Sequence, residues 1–382
     1  MNDTTAPRAL IVGGSLGGLF TALTLRAIGW RVEVFERSPH ALDSRGGGIV
    51  LQPEVLHAFH FAGLHRPAVL GVRSGDRIFL DRAGQVVQRG YQPQTQTSWN
   101  MLYNTMRAAL PDECIHAGET LVGFEQAGGQ VRAWFAGGRV ETGDLLVGAD
   151  GSRSTVRSRL LPELAPRYAG YVAWRGLVPE ALLDPASSAL LEGVFAFQQD
   201  GDHMLLEYLV PGEDGKVAPG QRRWNWVWYR KVEQARLAAL LTDRDGRPHP
   251  FSLPPGALRD APIACLRADA RERLAPPFSA LVGLTAEPFV QAISDLAVPR
   301  MVFGRVILLG DAAFVPRPHT AGSTAKAAAN ALALAQALAR ADRPIDAGLA
   351  EWEILQLRDG RTMTEWGRRM GDRIMGLVPA SA

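Results

Sequence analysis

Cysteine is nearly absent. The 382 residues contain only two, Cys114 and Cys265, far apart in the chain. A disulfide framework and a cysteine-built zinc site are therefore excluded, and a reducing cytoplasm is the expected compartment. An imbalance of charge is missing as well: 41 Lys and Arg stand against 39 Asp and Glu, a formal net charge of +2. A nucleic-acid binder or a polybasic membrane binder would need a strongly basic surface. No apolar stretch approaches the ~18 residues that cross a bilayer. Leu10 to Leu25 carries no charge and follows Arg8, which superficially suits a secretory leader. Its glycine-rich start and the lack of a small-residue cleavage site argue for a folded segment instead. There is no internal repeat and no low-complexity tail.

What is present is core-forming material. Hydrophobic residues make up 47% and charged residues 21%, the balance of a folded globular chain. At ~150 residues per domain, the length calls for two domains, or one with a large excursion. Residues 9–12 form a short apolar run ending at Gly13 and predict a buried parallel strand. Leu19, Phe20, Leu23 and Ala27 then recur at helical spacing until Gly29 stops the helix. Residues 31–36 alternate as a second strand, completing a βαβ unit whose connection is right-handed. Further along, 54–62 and 101–110 read as helices, 77–89 as an alternating strand, and 121–125, 131–135 and 138–140 as a β-meander before the apolar strand 145–149.

The middle differs in composition. Residues 168–299 hold four of the nine tryptophans, and Trp224, Trp226 and Trp228 alternate along one strand. Such a stripe is more often sheet-face packing than a ligand cage. Residues 210–222, rich in Gly, Pro and charge, read as a loop. The middle is thus expected to be a mostly antiparallel sheet, one face packed and the other lining a cavity. The last third returns to an apolar strand at 305–309, an Ala- and Leu-rich helix at 324–339 and one or two helices over 351–375.

Three motifs carry chemistry. Gly13-Gly14-Ser15-Leu16-Gly17-Gly18 follows a strand and opens a helix. A dinucleotide fingerprint needs glycine at the tight turn, a small residue where backbone approaches pyrophosphate, and glycine where helix meets strand. Gly13, Ser15 and Gly18 fill these places, with Ser15 departing from the strict pattern. Glu36 ends the second strand and suits an acceptor for adenosine ribose hydroxyls. Gly148-Ala149-Asp150-Gly151 and Gly310-Asp311-Ala312-Ala313 each follow a buried strand, which puts a carboxylate at the sheet edge where ligands of α/β folds bind. The second of these leads to Gly322-Ser323-Thr324 at a helix start, where the helix dipole can stabilise negative charge.

In this order the motifs resemble the class A FAD-dependent aromatic hydroxylases related to p-hydroxybenzoate hydroxylase. Within that family the chain looks most like the branch acting on dihydroxypyridines. Val12-Gly13-Gly14-Ser15, residues 48–54, Tyr168 to Gly176 and Gly310 to His319 carry the likeness, which covers nearly the whole chain. The resemblance implies a Rossmann-like FAD-binding domain (1–73, 94–167, 300–345), a mostly antiparallel substrate domain (74–93, 168–299) and a C-terminal helical segment (346–382). It implies FAD, with NADH or NADPH as reductant and molecular oxygen as co-substrate. The resemblance also implies that an oxygen atom would pass from a flavin C4a-hydroperoxide to an electron-rich aromatic or N-heteroaromatic, hydroxypyridine-like ring. Gly13, Ser15, Gly18, Glu36 and Arg37 would hold the ADP half of FAD. Asp150 would serve both FAD and nicotinamide, Asp311 the ribityl chain, and Gly322, Ser323 and Thr324 the flavin ring.

Three positions depart from the family. Ser98-Trp99-Asn100 stands where an Arg is common, leaving Arg107 as a substitute for a pyrophosphate contact. Phe314 stands where His is common, and Asn330 where an acid is common. Tyr208, His203 and His319 are the candidates for ring activation, and Arg45, before Gly46 to Gly48, could adapt around a moving flavin. A homodimer is compatible with the sequence. A flavin oxidase of the same fold, or a non-catalytic flavin-binding protein, remains open on the sequence alone.

Overall fold

The computed structural model describes residues 6–40, 42, 47–64, 69–340 and 343–377. The chain is mixed α/β. A six-stranded sheet runs in the order Val302–Phe303, Val306–Leu308, Leu145–Gly148, Arg8–Val12, Arg31–Glu36, Ile115–Ala117. All of its pairs are parallel except that of Val302–Phe303 with Val306–Leu308. Its central strands read as continuous apolar runs because both faces are covered. The Leu16–Ala27 and Ser323–Leu338 helices pack on each other there, joined where the Thr24 hydroxyl donates to the Ala331 carbonyl (3.1 Å). Ala328, Ala331 and Ala335 keep that side of the second helix small enough for close approach.

A ten-stranded sheet forms the other half. Its main path is Ser252–Leu253, Phe289–Ala297, Arg167–Pro179, Arg223–Lys231, His203–Val210, Val194–Asp200, Val72–Leu80, Val86–Ser98, Gly48–Val50. Neighbours along it are antiparallel except Val194–Asp200 with Val72–Leu80. The alternation at 77–89 resolves into two strands of a hairpin, whose turn is closed by the Gln85 N–H donating to Asp81 (2.8 Å). Trp224, Trp226 and Trp228 face away from the cavity and pack under the helices Gln234–Leu240, Asp260–Arg273 and Pro276–Leu284. This helical layer has no strong apolar periodicity in the sequence. The Asp260–Arg273 helix buries only Leu266 and Ala270.

The C-terminal stretch is one helix of 30 residues, Ile345–Ile374. Three of its glycines let it lie against the cavity wall. A Cβ at Gly360 would stand 2.7 Å from Phe314 Cγ, one at Gly367 2.9 Å from Thr320 Cγ2, and one at Gly371 2.6 Å from the Tyr171 hydroxyl. Among the described residues no helix is long and apolar enough to cross a membrane.

Candidate active site

Strand order brings the three motifs together. Arg8–Val12, Leu145–Gly148 and Val306–Leu308 are parallel neighbours, so Gly13, Asp150 and Asp311 follow their carboxyl ends at one sheet edge. A cavity of 1620 Å³ starts there and continues beneath the ten-stranded sheet. One drug-sized ligand occupies ~300–1,000 Å³. The space therefore admits a dinucleotide and a small ring together.

At the first motif, Gly13 has φ +110°, and a Cβ there would meet the Ala149 carbonyl oxygen at 2.5 Å. No other residue fits. Gly18 does not line the cavity but packs against Gly13 and Ile11, the helix–strand role of a third glycine. Ser15 caps the Leu16–Ala27 helix without a side-chain bond. The first-turn N–H groups thus remain available to an anion. Glu36 lines the cavity and accepts through both oxygens, from the Gly14 N–H (2.8 Å) and the Ser38 N–H (2.9 Å). Arg37 and Arg153 line the same rim, and burial together with Arg37's charge lowers the Arg153 pKa.

Asp150 accepts at Oδ2 from the N–H groups of Thr155 (2.6 Å) and Val156 (3.2 Å) at the start of the Thr155–Leu160 helix, while among the described residues its buried Oδ1 has no hydrogen-bond partner. Burial raises its pKa. Asp311 accepts at Oδ1 from the Ser323 hydroxyl (2.5 Å) and from Lys326 Nζ (2.8 Å). Lys326 is buried and also donates to the Phe314 carbonyl. Gly322, Ser323 and Thr324 line the cavity where their helix opens. Asn330 accepts from the Gly310 N–H (3.0 Å) and donates to Gln356 (2.7 Å). An amide does both, whereas a carboxylate could only accept. Phe314 is fully buried against Gly360.

The ring-activation candidates separate. Tyr208 is buried and lines the cavity, and burial raises its phenol pKa well above the ordinary value, with Arg175's charge opposing. His319 also lines it, with Nε2 2.9 Å from the Tyr171 hydroxyl and, among the described residues, no partner for its buried Nδ1. Burial and then Arg317 push the His319 pKa down to about 3, so its imidazole is neutral at neutral pH. Arg317 itself is clamped by Asp295 (2.8 Å to each oxygen) and Asp372 (2.7 Å).

His203 is not at the cavity. It accepts from the Trp228 indole N–H (3.2 Å), on the helix-covered face. The two candidates are five residues apart on one strand, and an odd interval points them to opposite faces. Arg107 is elsewhere too, since it ends the Trp99–Ala108 helix and pairs with Asp112 (2.6 Å). Trp99 lines the cavity in its stead, stacked on Tyr103 at 4.7 Å between ring centroids. Arg45 lies outside the described residues. Sequence reasoning missed Lys326, Arg77 and Arg175. Lysine inside an alanine-rich helix was a visible signal for the first, whereas the arginines depend on which strand face they occupy.

A family model described as FAD binding domain-like matches residues 168–295. The 2,6-dihydroxypyridine 3-monooxygenase of Paenarthrobacter nicotinovorans is 34% identical over 97% of this chain and 92% of its own length. The solved 2,6-dihydroxypyridine-3-hydroxylase of Arthrobacter nicotinovorans superposes with a TM-score of 0.91 at 33% identity, covering 97% of this chain and 93% of that one. Salicylate hydroxylase of Pseudomonas putida is 29% identical over 92% of this chain and 81% of its own length. A Klebsiella pneumoniae structure holding FAD and uric acid shares the fold at a TM-score of 0.78 and 24% identity, covering 97% of this chain and 89% of that one. The open helix N-terminus, the paired acceptors of Glu36 and the lysine-held Asp311 supply the donors and acceptors that FAD needs, and this chain belongs to the FAD-dependent aromatic monooxygenases, which use reduced nicotinamide and dioxygen.

Proposed function

We propose that the protein hydroxylates a hydroxypyridine-like ring beneath the ten-stranded sheet. The observation that carries this is an aromatic patch, Phe79, Phe195, Phe197 and Tyr229, around the buried phenol of Tyr208 on the cavity wall. A planar ring is matched by such walls, and one polar tip fixes its orientation. Glu36 and Arg37 would hold the adenosine of FAD, the N–H groups at Ser15 to Gly17 the pyrophosphate, Asp311 the ribityl chain, and Gly322 to Thr324 the flavin ring. When bound, the flavin takes electrons from reduced nicotinamide and supplies one atom of dioxygen to the substrate.

The chain's own part is to bind, orient and keep the site dry. Tyr208 stays a neutral phenol, because burial raises its pKa, and hydrogen-bonds the ring hydroxyl that directs substitution. His319 is held through Nε2 by Tyr171 and stays a neutral imidazole on the cavity wall. Phe79, Phe195, Phe197, Leu206 and Val227 exclude water from the reacting centre. The test is rapid-mixing reduction of the holoenzyme by NADH or NADPH, with and without 2,6-dihydroxypyridine, followed at the flavin's visible band. Ring-stimulated reduction is expected, and an identical rate with and without ring would remove this reading.

A further inference from the structure

The registers of the ten-stranded sheet place two arginines on opposite sides of Tyr208. Arg77 pairs with Phe195 and Phe79 with Phe197. Phe197 pairs with Leu206, Leu206 with Val227, and Val227 with Arg175. The strand of Tyr208 is the middle one of the five that run from Arg77's strand to Arg175's. At ~4.8 Å per strand the two backbones are about 19 Å apart, and both side chains reach inward along the cavity wall. The Arg77 guanidinium lies 5.5 and 5.1 Å from the Phe195 and Phe197 ring centroids. Arg175 acts electrostatically on both Tyr208 and Tyr229.

Among the described residues no ion pair or hydrogen bond engages Arg77 or Arg175, and the Nε of each is buried without a partner. The cavity-lining residues of this sheet include Arg73, Arg77 and Arg175 and no Asp or Glu. The carboxylates of the cavity lie off this sheet, and four of them are engaged there: Glu36 by Gly14 and Ser38, Glu119 by Arg139, Asp150 by its helix and Asp311 by Lys326. Both arginines are half-buried, and a guanidinium partly removed from water without counter-charge favours a ligand that supplies it.

We propose that the ring taken by this site is an acid with two separate acidic substituents, one held by Arg175 and the other by Arg77, with Tyr208 between them. The second acidic group is a deprotonated ring oxygen or a ring carboxylate. Both present the same anionic oxygen to a guanidinium fork. This rests on the ring-hydroxylase reading above and narrows its substrate from a neutral or singly acidic ring to a doubly acidic one.

The test is a titration of the FAD-loaded enzyme with three ligands, read as perturbation of the flavin's visible spectrum. They are 2-hydroxypyridine with one acidic group, 2,6-dihydroxypyridine with a second ring oxygen, and 6-hydroxynicotinate with a carboxylate. At least one of the last two should bind ten-fold or more tighter than 2-hydroxypyridine, and which one does identifies the second group. Arg77→Met and Arg175→Met should each abolish most of that preference while leaving FAD content intact. Equal binding of all three by the wild type would overturn the inference and leave the ring-hydroxylase reading standing. Loss of FAD in either variant would overturn it by assigning that arginine to the cofactor. Failure of every ring to perturb the flavin would overturn both.

Discussion

The C-terminal helix packs closely on Phe314 because Gly360 has no side chain, and that dependence has a size. A Cβ at this position lies 2.7 Å from Phe314 Cγ and closer still to the ring edge. Phe314 is fully buried and has nowhere to swing. Gly360→Val therefore forces helix and ring apart, and overpacking of this kind costs about 1–3 kcal/mol. The helix-propensity gain of Val over Gly returns roughly 0.3–0.5 kcal/mol. Because the ring cannot yield, the upper part of the range applies, about 2–3 kcal/mol. For 382 residues at ~2.1 cal/mol/K each, that lowers the unfolding midpoint by about 2.5–4 °C. The assay is the thermal transition of the holoenzyme, followed by the rise of flavin fluorescence on release. Gly283→Ala is the control: nothing lies within 4 Å of its Cβ, so the midpoint should hold to within ~0.5 kcal/mol equivalent. Adding Phe314→Leu to Gly360→Val should recover about 1–2 kcal/mol as coupling between the two sites. A Gly360→Val midpoint equal to that of Gly283→Ala would refute the packing argument.

Glu36→Ala removes the acceptor of the Gly14 and Ser38 N–H groups and of the proposed ribose contact. FAD affinity should fall by ~1.5–3 kcal/mol, about ten- to hundred-fold, in a fluorescence titration, and an unchanged constant would assign Glu36 to the turn alone. Asp311→Ala strands a buried Lys326, whose pKa burial already lowers, and should cost about 3–5 kcal/mol. Lys326→Met leaves an Asp311 that is 41% exposed and can hydrate, so it should cost less in the same thermal assay; the reverse order would contradict the pairing. His319 has its folded pKa depressed to about 3 from 6.5, so below pH 6.5 the unfolded chain takes up a proton that the folded chain refuses. Its contribution is present above 6.5 and is lost as pH falls toward 3, with a slope of up to ~1.4 kcal/mol per pH unit. His319→Gln should flatten the acid limb of a stability profile, and an unaltered limb would mean that other groups set it.

The FAD-binding half was legible because its signals are local. A strand, a glycine turn, a helix and Glu36 occupy consecutive residues, and motif order alone placed Asp150 and Asp311 at strand ends. What brought them into one site was the order of three parallel strands. The ring-binding half was legible as an aromatic sheet but not as a face. Trp224, Trp226 and Trp228 occupy the helix-covered side, while Asn225, Val227 and Tyr229 take the other parity. Period-2 alternation says that two faces exist without saying which is wet. The same parity separates His203 from Tyr208, and that much the sequence already contained. Lys326 could not be assigned from spacing, since its partners are Asp311 and a carbonyl twelve residues away.

The measurement that tests the central claim most directly is turnover of the FAD-loaded enzyme with NADH or NADPH under isotopically labelled dioxygen, with 2,6-dihydroxypyridine or 6-hydroxynicotinate as the ring and mass spectrometry of the product. The account predicts one labelled oxygen atom in the ring product for each reduced nicotinamide consumed in coupled turnover. Ring-stimulated nicotinamide oxidation yielding labelled hydrogen peroxide and an unchanged ring would contradict it.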